Sequence, residues 1–185
     1  MKTKAIAFGD FFECCVGSWA TERTYHYMRR DEVERSRTEF TILPLSPANK
    51  TKVLADNQYV PPANLDEVPG YHLNFETVSE TGEEVSQSLN FLFVPRRSEP
   101  GLTTGDYLRD RAYEEERPII SHFTYRSDDG ELVMTTNYTR VVAVDSITLI
   151  NPELRIRKIL TYERPPEEQP LDRVVLAGFG VECKQ

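Results

Sequence analysis

Alternating apolar and polar residues dominate the chain from residue 71 onward, and this period of two predicts β-strands. The runs are rich in Val, Ile, Thr, Tyr and Phe. The TG pair at 81–82 and the DDG triplet at 128–130 provide the turns that short antiparallel hairpins need. The predicted strands are 71–79, 84–94, 105–113, 118–126, 131–139, 140–150, 153–163 and 172–183.

Two earlier strands are predicted at 20–29 and 34–43, joined through the turn from Arg29 to Glu32. About ten strands at regular spacing, with few helices, favour an antiparallel barrel, because closure removes unpaired strand edges. An open sandwich is the alternative. We therefore expect a mostly β fold in a single domain over 1–185, with a lumen that can hold a small ligand.

A first helix is predicted over 8–18, where Asp10 can cap the first turn and Gly17 ends the run. We expect this helix to close one end of the barrel, with Trp19 packed against it as a plug. Its apolar side chains recur at helical spacing, namely Phe11, Phe12, Cys15 and Val16.

A second helix of about three turns is predicted from Ser46 to Tyr59. Ser46 can accept hydrogen bonds from the free amides of the first turn, and Pro47 is preorganised for the first helical position. The following segment, 61–70, is predicted as a loop.

Charge and composition narrow the classes of partner. The 185 residues include 30 acidic and 22 basic side chains, which give a formal net charge of −8 and argue against nucleic acid or an anionic membrane as the main partner. Mean hydropathy is −0.50, no apolar run approaches the ~20 residues of a membrane span, and the start lacks the ~7–15-residue apolar region of a secretory signal. We expect a cytoplasmic protein. Its three cysteines fit neither a disulfide framework nor a metal site.

Arginines on two predicted strands are the most informative candidates for chemistry. Arg23 shares a strand face with Tyr25, and Arg155 shares a face with Arg157. If these faces point inward, three guanidinium groups enter one lumen and would bind carboxylates of an elongated anion beside aromatic walls. The alternative is that Arg155 and Arg157 lie on a solvated face and pair with surface acids.

Four stretches in chain order resemble the S-type phycobiliprotein chromophore lyases of cyanobacteria and their relatives. Residues 11–30 resemble that family's N-terminal signature of paired Phe, Trp and an Arg-Thr pair, and residues 105–139 are similar to its middle hairpin. Two further matches lie near the end. These stretches read FFECCVGSWATERTYHYMRR, GDYLRDRAYEEERPIISHFTYRSDDGELVMTTNYT, NPELRIRK and LAGFGVECKQ.

The resemblance implies a lipocalin-like (calycin) barrel that binds a linear tetrapyrrole, phycocyanobilin or phycoerythrobilin, as a substrate and not as a resident cofactor. It implies attachment of this bilin through a thioether to a cysteine of a phycobiliprotein subunit, of phycocyanin, allophycocyanin or phycoerythrin. A homodimer, or a heterodimer with a related lyase subunit, is a further implied possibility. The arginines that the resemblance assigns to bilin binding are Arg23, Arg155 and Arg157, and the aromatic neighbours predicted beside them are Tyr25 and Phe75.

The chain departs from the family pattern at three points. Tyr27 follows His26 where a second His is expected. Tyr71, Leu73 and Phe75 occupy a strand in which family members often have Trp. An acid expected near Asn137 is absent, which puts a carboxylate acid/base role there in doubt.

No catalytic residue is assigned. In the reaction that the resemblance implies, the acceptor thiolate adds to the bilin's ethylidene group, so holding and presenting the bilin is the main task expected of the protein. Candidates for moving a proton, by residue type alone, are His26, Glu76 and Asp145. Cys14 and Cys15 could carry bilin covalently, but the pattern favours small buried residues of the helix.

The other polar features have plainer interpretations. Acidic runs at Glu114 to Glu116 and Glu167 to Glu168 are predicted as solvated loops. Tyr138 fits either the wall or the outer face. Four arginines could line the barrel mouth but are better explained as balancing these acids, namely Arg96, Arg97, Arg109 and Arg111.

Two function classes remain open from the sequence: a bilin lyase, and a nonenzymatic bilin carrier or noncatalytic partner subunit built on the same barrel.

Overall fold

The computed structural model describes residues 5–110 and 118–185, and within them ten antiparallel strands form a closed barrel. Each strand hydrogen-bonds to its neighbours in the chain, and the last strand closes on the first. The predicted closed barrel is confirmed. The elements are α1 (Phe8–Cys15), β1 (Gly17–Tyr27), β2 (Glu32–Pro44), α2 (Pro47–Asp56), a 3₁₀ turn (Leu65–Glu67), β3 (Gly70–Ser79), β4 (Glu84–Glu99), β5 (Leu102–Arg109), β6 (Ser121–Arg126), β7 (Glu131–Asn137), β8 (Val141–Asn151), β9 (Leu154–Glu163) and β10 (Val174–Lys184).

Both predicted helices exist, and both are shorter than predicted. Helix α1 ends at Cys15 because Gly17, at φ 131°, already begins β1, and its N-cap, Ala7, offers no side-chain bond in place of the expected Asp10 cap. The cap of α2 is confirmed, since the amide of Asn49 donates to the Ser46 hydroxyl. Among the described residues, no helix has the length and apolarity to cross a membrane.

The central hairpin of β4 and β5 differs most from the prediction. Strand β4 continues to Glu99 because a bulge between Pro95 and Arg97 lets the ladder pass a residue that cannot donate a hydrogen bond. Strand β5 accordingly begins at Leu102, not at 105. The predicted strand residues 111–113 lie outside the described residues.

Two apolar clusters stabilise the barrel on opposite sides of β4. Phe91 and Phe93 point into the barrel core, whereas Leu92 and Val94 point outward and are covered by α2. Burial on both faces explains why this strand reads as an unbroken apolar run.

Helix α1 closes one end of the barrel. The Phe12 ring lies 4.8 Å from that of Phe93 and the Phe11 ring lies 5.1 Å from that of Tyr125, measured between centroids. Trp19 is buried and its indole nitrogen donates to the carbonyl of Cys15 at 2.9 Å, so the predicted plug is confirmed. The opposite end, where β1, β7 and β9 finish, carries no helix within the described chain.

Gly105 provides a test of this packing. A Cβ at this position would lie 2.1 Å from the carbonyl oxygen of Val94 and 2.7 Å from the Phe123 ring, so Gly105→Ala forces backbone or ring displacement. We expect the free energy of unfolding to fall by about 1–3 kcal/mol, as in overpacked cores. Denaturant titration provides the measurement.

Gly9→Ala is the matched control. A Cβ added at Gly9, in α1, would have no other atom within 4 Å. This control should gain about 0.5–1 kcal/mol from helix propensity. Equal effects of the two substitutions would show that Gly105 does not limit the packing.

Candidate functional site

The inward face of β1 carries the predicted series Trp19, Thr21, Arg23, Tyr25 and Tyr27. On β9, Arg155 and Arg157 also face inward. The exposed fraction of Arg155 is 3%. The solvated-face alternative is therefore wrong, and the lumen contains the three predicted guanidinium groups.

Two glycines on β10 make room for these side chains. A Cβ at Gly178 would lie 2.8 Å from the Tyr25 ring, and one at Gly180 would lie 3.2 Å from Cγ of Arg23. Because β10 pairs directly with β1, only glycine lets both β1 side chains lie flat against the neighbouring backbone. The GFG sequence at 178–180 thus shapes the wall of the site.

Glu182 is the buried counter-charge of Arg23 and Arg155. Its side chain has no exposed surface, and Nε of Arg155 donates to its Oε2 at 2.5 Å. Nη2 of Arg23 lies 3.6 Å from its other oxygen. The Arg155 guanidinium also lies over the rings of Trp19 and Phe40, at 4.7 and 5.2 Å from their centroids. The Arg155 side chain is therefore fixed by one carboxylate and two aromatic rings.

Arg157 and Asp145 form a second, more accessible pair. Nη2 of Arg157 donates to Asp145 at 3.3 Å, and the side chains are 25% and 28% exposed. Burial acts to lower the pKa of Arg157, but the carboxylates of Asp145 and Glu182 outweigh it and raise that pKa above its ordinary value. Burial and the nearby charge of Arg157 lower the pKa of Arg23. An anion would relieve this repulsion between the two arginines.

Three buried polar atoms in this network have no hydrogen-bond partner among the described residues: Nε of Arg23, Nε of Arg157 and Oε1 of Glu182. Buried donors normally find partners, so the two Nε groups are available to an acceptor brought by a ligand. Arg23 and Arg157, which carry these two Nε groups, are the arginines of the network whose side chains retain some exposure.

The lumen beside these groups is aromatic and small. It measures about 190 Å³, below the ~300–1,000 Å³ of typical ligand pockets. Phe75 lines it as predicted. Its other walls come from Phe40, Ile42, Tyr71, Leu73, Leu89, Phe91, Tyr107, Arg109, Met134 and Ile147.

Of the three proton-transfer candidates, only Asp145 lies in the lumen. His26 and Glu76 are exposed on the outward faces of β1 and β3. Asn137 is exposed at the end of β7.

Arg109 occupies the position that the sequence left as the alternative for it, at the wall of the lumen. It lines the lumen, and its Nη2 donates to the hydroxyl of buried Tyr138 at 2.6 Å. Arg96 and Arg97 are outside the lumen and pair with Asp106 and Glu99. Arg111 and the run Glu114 to Glu116 lie outside the described residues.

The three cysteines lie away from the exposed surfaces of Arg23 and Arg157. Cys15 is buried, and burial raises the pKa of its thiol. Cys14 is half-buried, and Cys183 is exposed on the outer face of β10.

Sequence reasoning missed Glu182 and the two glycines. Alternation along β10 places Glu182 on the same face as Gly178 and Gly180. A single acid on an otherwise apolar strand face, opposite a predicted lumen arginine, would have identified the counter-charge.

Glu182→Ala tests the buried ion pair. Removing the carboxylate leaves Arg155 buried without its partner, so we expect the free energy of unfolding to fall by about 3–5 kcal/mol. Glu39→Ala is the matched control, because its pair with Arg37 is exposed and worth about 0–1 kcal/mol. Denaturant unfolding of both variants measures the difference, and comparable losses would contradict a special role for Glu182.

Comparisons with known proteins identify the family of this chain. The family model described as CpeS-like protein matches residues 7–185. The chain is 63% identical over 177 residues, 96% of each chain, to "Chromophore lyase CpcS/CpeS 1" of Synechococcus sp. (strain JA-3-3Ab). It is 28% identical over 149 residues, 80% of each chain, to "Chromophore lyase CpcS/CpeS" of Thermosynechococcus vestitus.

A solved structure supports the fold. The S-type phycobiliprotein lyase CPES from Guillardia theta superposes with a TM-score of 0.74 over 95% of this chain and 91% of its own, at 20% sequence identity. This likeness confirms the lipocalin-like barrel. Together with the match of the family model over almost the whole sequence, these relatives show that the chain belongs to the CpeS-like family of proteins.

Proposed function

We propose that the protein is a phycobiliprotein lyase, which binds phycocyanobilin or phycoerythrobilin and joins it through a thioether to a cysteine of a phycobiliprotein subunit in the cytoplasm. Family membership and relatives named as chromophore lyases support the reaction class. The observation that carries the proposal is the pair of buried, unpartnered Nε donors of Arg23 and Arg157 beside an aromatic lumen.

The bilin carboxylates are the natural acceptors for these donors. A linear tetrapyrrole has two propionates, and guanidinium groups bind carboxylates through a fork of parallel donors. Arg23 and Arg157 bind the propionates directly. Arg155, with its Nε committed to Glu182, orients Arg23 through that shared carboxylate and so acts as a positioning residue.

The size of the lumen determines how the bilin is presented. A cavity of about 190 Å³ cannot enclose a four-ring molecule, so part of the bilin extends through the end opposite α1. Phe75 and neighbouring rings pack on the enclosed pyrroles, while Tyr25 borders the path outward. The extended part is then accessible to a cysteine of another protein.

The chemistry requires little from the lyase itself. The acceptor thiolate forms a C–S bond with the ethylidene of ring A, and the tetrapyrrole takes up one proton. Asp145 is the lumen carboxylate placed to accept pyrrole N–H groups or to relay that proton, since it lies beside Arg157. Positioning therefore contributes most of the rate enhancement.

The lyase reaction is separated from a nonenzymatic carrier or a noncatalytic partner subunit by one experiment. The protein is incubated with phycocyanobilin or phycoerythrobilin and apo-subunits of phycocyanin, allophycocyanin or phycoerythrin. Covalent bilin is scored by zinc fluorescence on a denaturing gel. A carrier would bind bilin and give no fluorescent subunit beyond the uncatalysed background. A noncatalytic partner subunit would give a fluorescent acceptor subunit only when a second lyase subunit is added.

Arg157→Ala and Arg23→Ala should each weaken bilin binding while the fold survives. A charge-assisted hydrogen bond contributes about 1.5–3 kcal/mol, so the affinity should fall by roughly one to two decades. Arg157→Lys should also weaken binding, because a point charge lacks the fork geometry. Absorbance titration with phycocyanobilin measures the affinity.

Arg37→Ala is the control for these variants, because it removes an exposed arginine from the outer face of β2. Its affinity should match that of the unmodified protein. Full affinity of the Arg157 and Arg23 variants would exclude both as bilin ligands.

Replacing Cys14, Cys15 and Cys183 together by alanine should leave chromophore transfer largely intact. The raised pKa of Cys15 makes it a poor nucleophile, and the product thioether forms on the acceptor. Transfer rate and thermal stability are measured side by side. A folded triple variant that binds bilin but cannot transfer it would show that a lyase thiol carries the chromophore.

A further inference from the structure

A groove of about 800 Å³ lies at the open end of the barrel, and we name it the mouth groove. Three connections form it: the turn after β1, the link between β7 and β8, and the segment after β9. It is lined by Tyr27, Arg29, Arg30, Thr139, Arg140, Val141, Glu163, Arg164, Pro165, Pro166 and Val175.

The mouth groove is strongly cationic, although the whole chain carries a formal net charge of −8. Among the described residues that line it, four are arginines and one, Glu163, carries a carboxylate. That carboxylate is shared, since Arg29 lies 2.7 Å from it and Arg173 lies 3.0 Å from it.

Arg30 of the mouth groove pairs with Glu32 at 3.1 Å. The guanidinium of Arg164 donates to the backbone carbonyl of Tyr138. Arg140 and Arg164 have no carboxylate partner among the described residues, so the groove keeps positive charge at these two arginines.

Part of the lining of the mouth groove is apolar. Val141 and Val175 contribute aliphatic surface, and two consecutive prolines form one side. The Arg30 guanidinium stacks over the Tyr27 ring, 4.4 Å from its centroid. An apolar lining with arginine and tyrosine beside it has the composition of a protein-binding surface.

The mouth groove adjoins the lumen through Tyr138. The Tyr138 hydroxyl accepts from lumen-lining Arg109 at 2.6 Å, and its carbonyl accepts from Arg164 at 2.8 Å. Along β1, Arg23 lines the lumen and Tyr27 lines the groove on the same inward face. A bilin emerging from the lumen therefore arrives beside the groove.

We propose that the mouth groove docks an acidic segment of the acceptor subunit next to its reactive cysteine. This inference rests on the proposed function and specifies where the acceptor binds. A protein of net charge −8 repels acidic partners at long range, so such a partner can approach productively only at a local cationic surface. The groove provides that surface at the point where ring A becomes accessible.

Charge reversal at exposed Arg140, and at Arg164, tests the proposal. Arg97→Glu is the matched control, because it makes the same change in an exposed arginine of β4 distant from the groove. The probes are apo-subunits of phycocyanin, allophycocyanin and phycoerythrin. Their association with each variant is measured by surface plasmon resonance, the KM for the acceptor by transfer assays, and bilin affinity by titration without acceptor.

We expect Arg140→Glu and Arg164→Glu to weaken acceptor association and to raise the acceptor KM, each by roughly threefold to tenfold at low salt, with bilin affinity unchanged. The difference from Arg97→Glu should shrink as ionic strength rises from about 0.01 M to about 1 M, because screening shortens the Debye length from ~30 Å to ~3 Å.

Three outcomes would overturn the proposal. The groove variants could behave like Arg97→Glu, bilin affinity could fall by the same factor as transfer, or no probe subunit could associate with the unmodified protein in a salt-dependent way. The second outcome would assign the groove to bilin carboxylates. A fourth result would separate the two proposals. If the subunits bind in a salt-dependent way that requires the groove, but no bilin is transferred, the lyase reaction is refuted and the docking proposal is supported.

Discussion

The pairing of Glu182 with Arg23 and Arg155 allows a β-barrel to keep cationic groups in its core. Removing a guanidinium group from water is costly, and only a close carboxylate with good geometry offsets that cost. Glu182 meets this requirement for Arg155 fully and for Arg23 partly, since the two contacts measure 2.5 and 3.6 Å. The unequal sharing leaves positive charge available on the side of the lumen that faces the open end.

This unequal pairing divides the barrel into a structural end and a binding end. Near α1, Trp19 and other aromatic rings pack closely around buried Arg155. Toward the open end, Arg157 and Asp145 keep part of their surface, and β10 contributes glycines where other strands have bulky side chains. Stability and binding therefore depend on different residues of the same strands.

The sequence predicted the architecture well because alternation along a strand is a local property. The inward series of β1 and the shared face of Arg155 and Arg157 follow from a period of two once the barrel is assumed. Periodicity alone left open which face lies inside, and the family resemblance favoured the correct answer. The end of α1 and the extension of β4 past Pro95 depend on tertiary pairing, which no local pattern contains.

The pairing of β1 with β10 also has a consequence for assembly. Arg23 is in the first strand of the barrel and its counter-charge Glu182 is in the last, so their contact requires strands from opposite ends of the sequence to pair. A chain still lacking β10 has inward guanidinium groups on β1 and β9 without that carboxylate, which disfavours compact intermediates. Pairing of β1 with β10 closes the barrel and brings Glu182 to Arg23 together, so the binding lumen is complete only in the closed barrel.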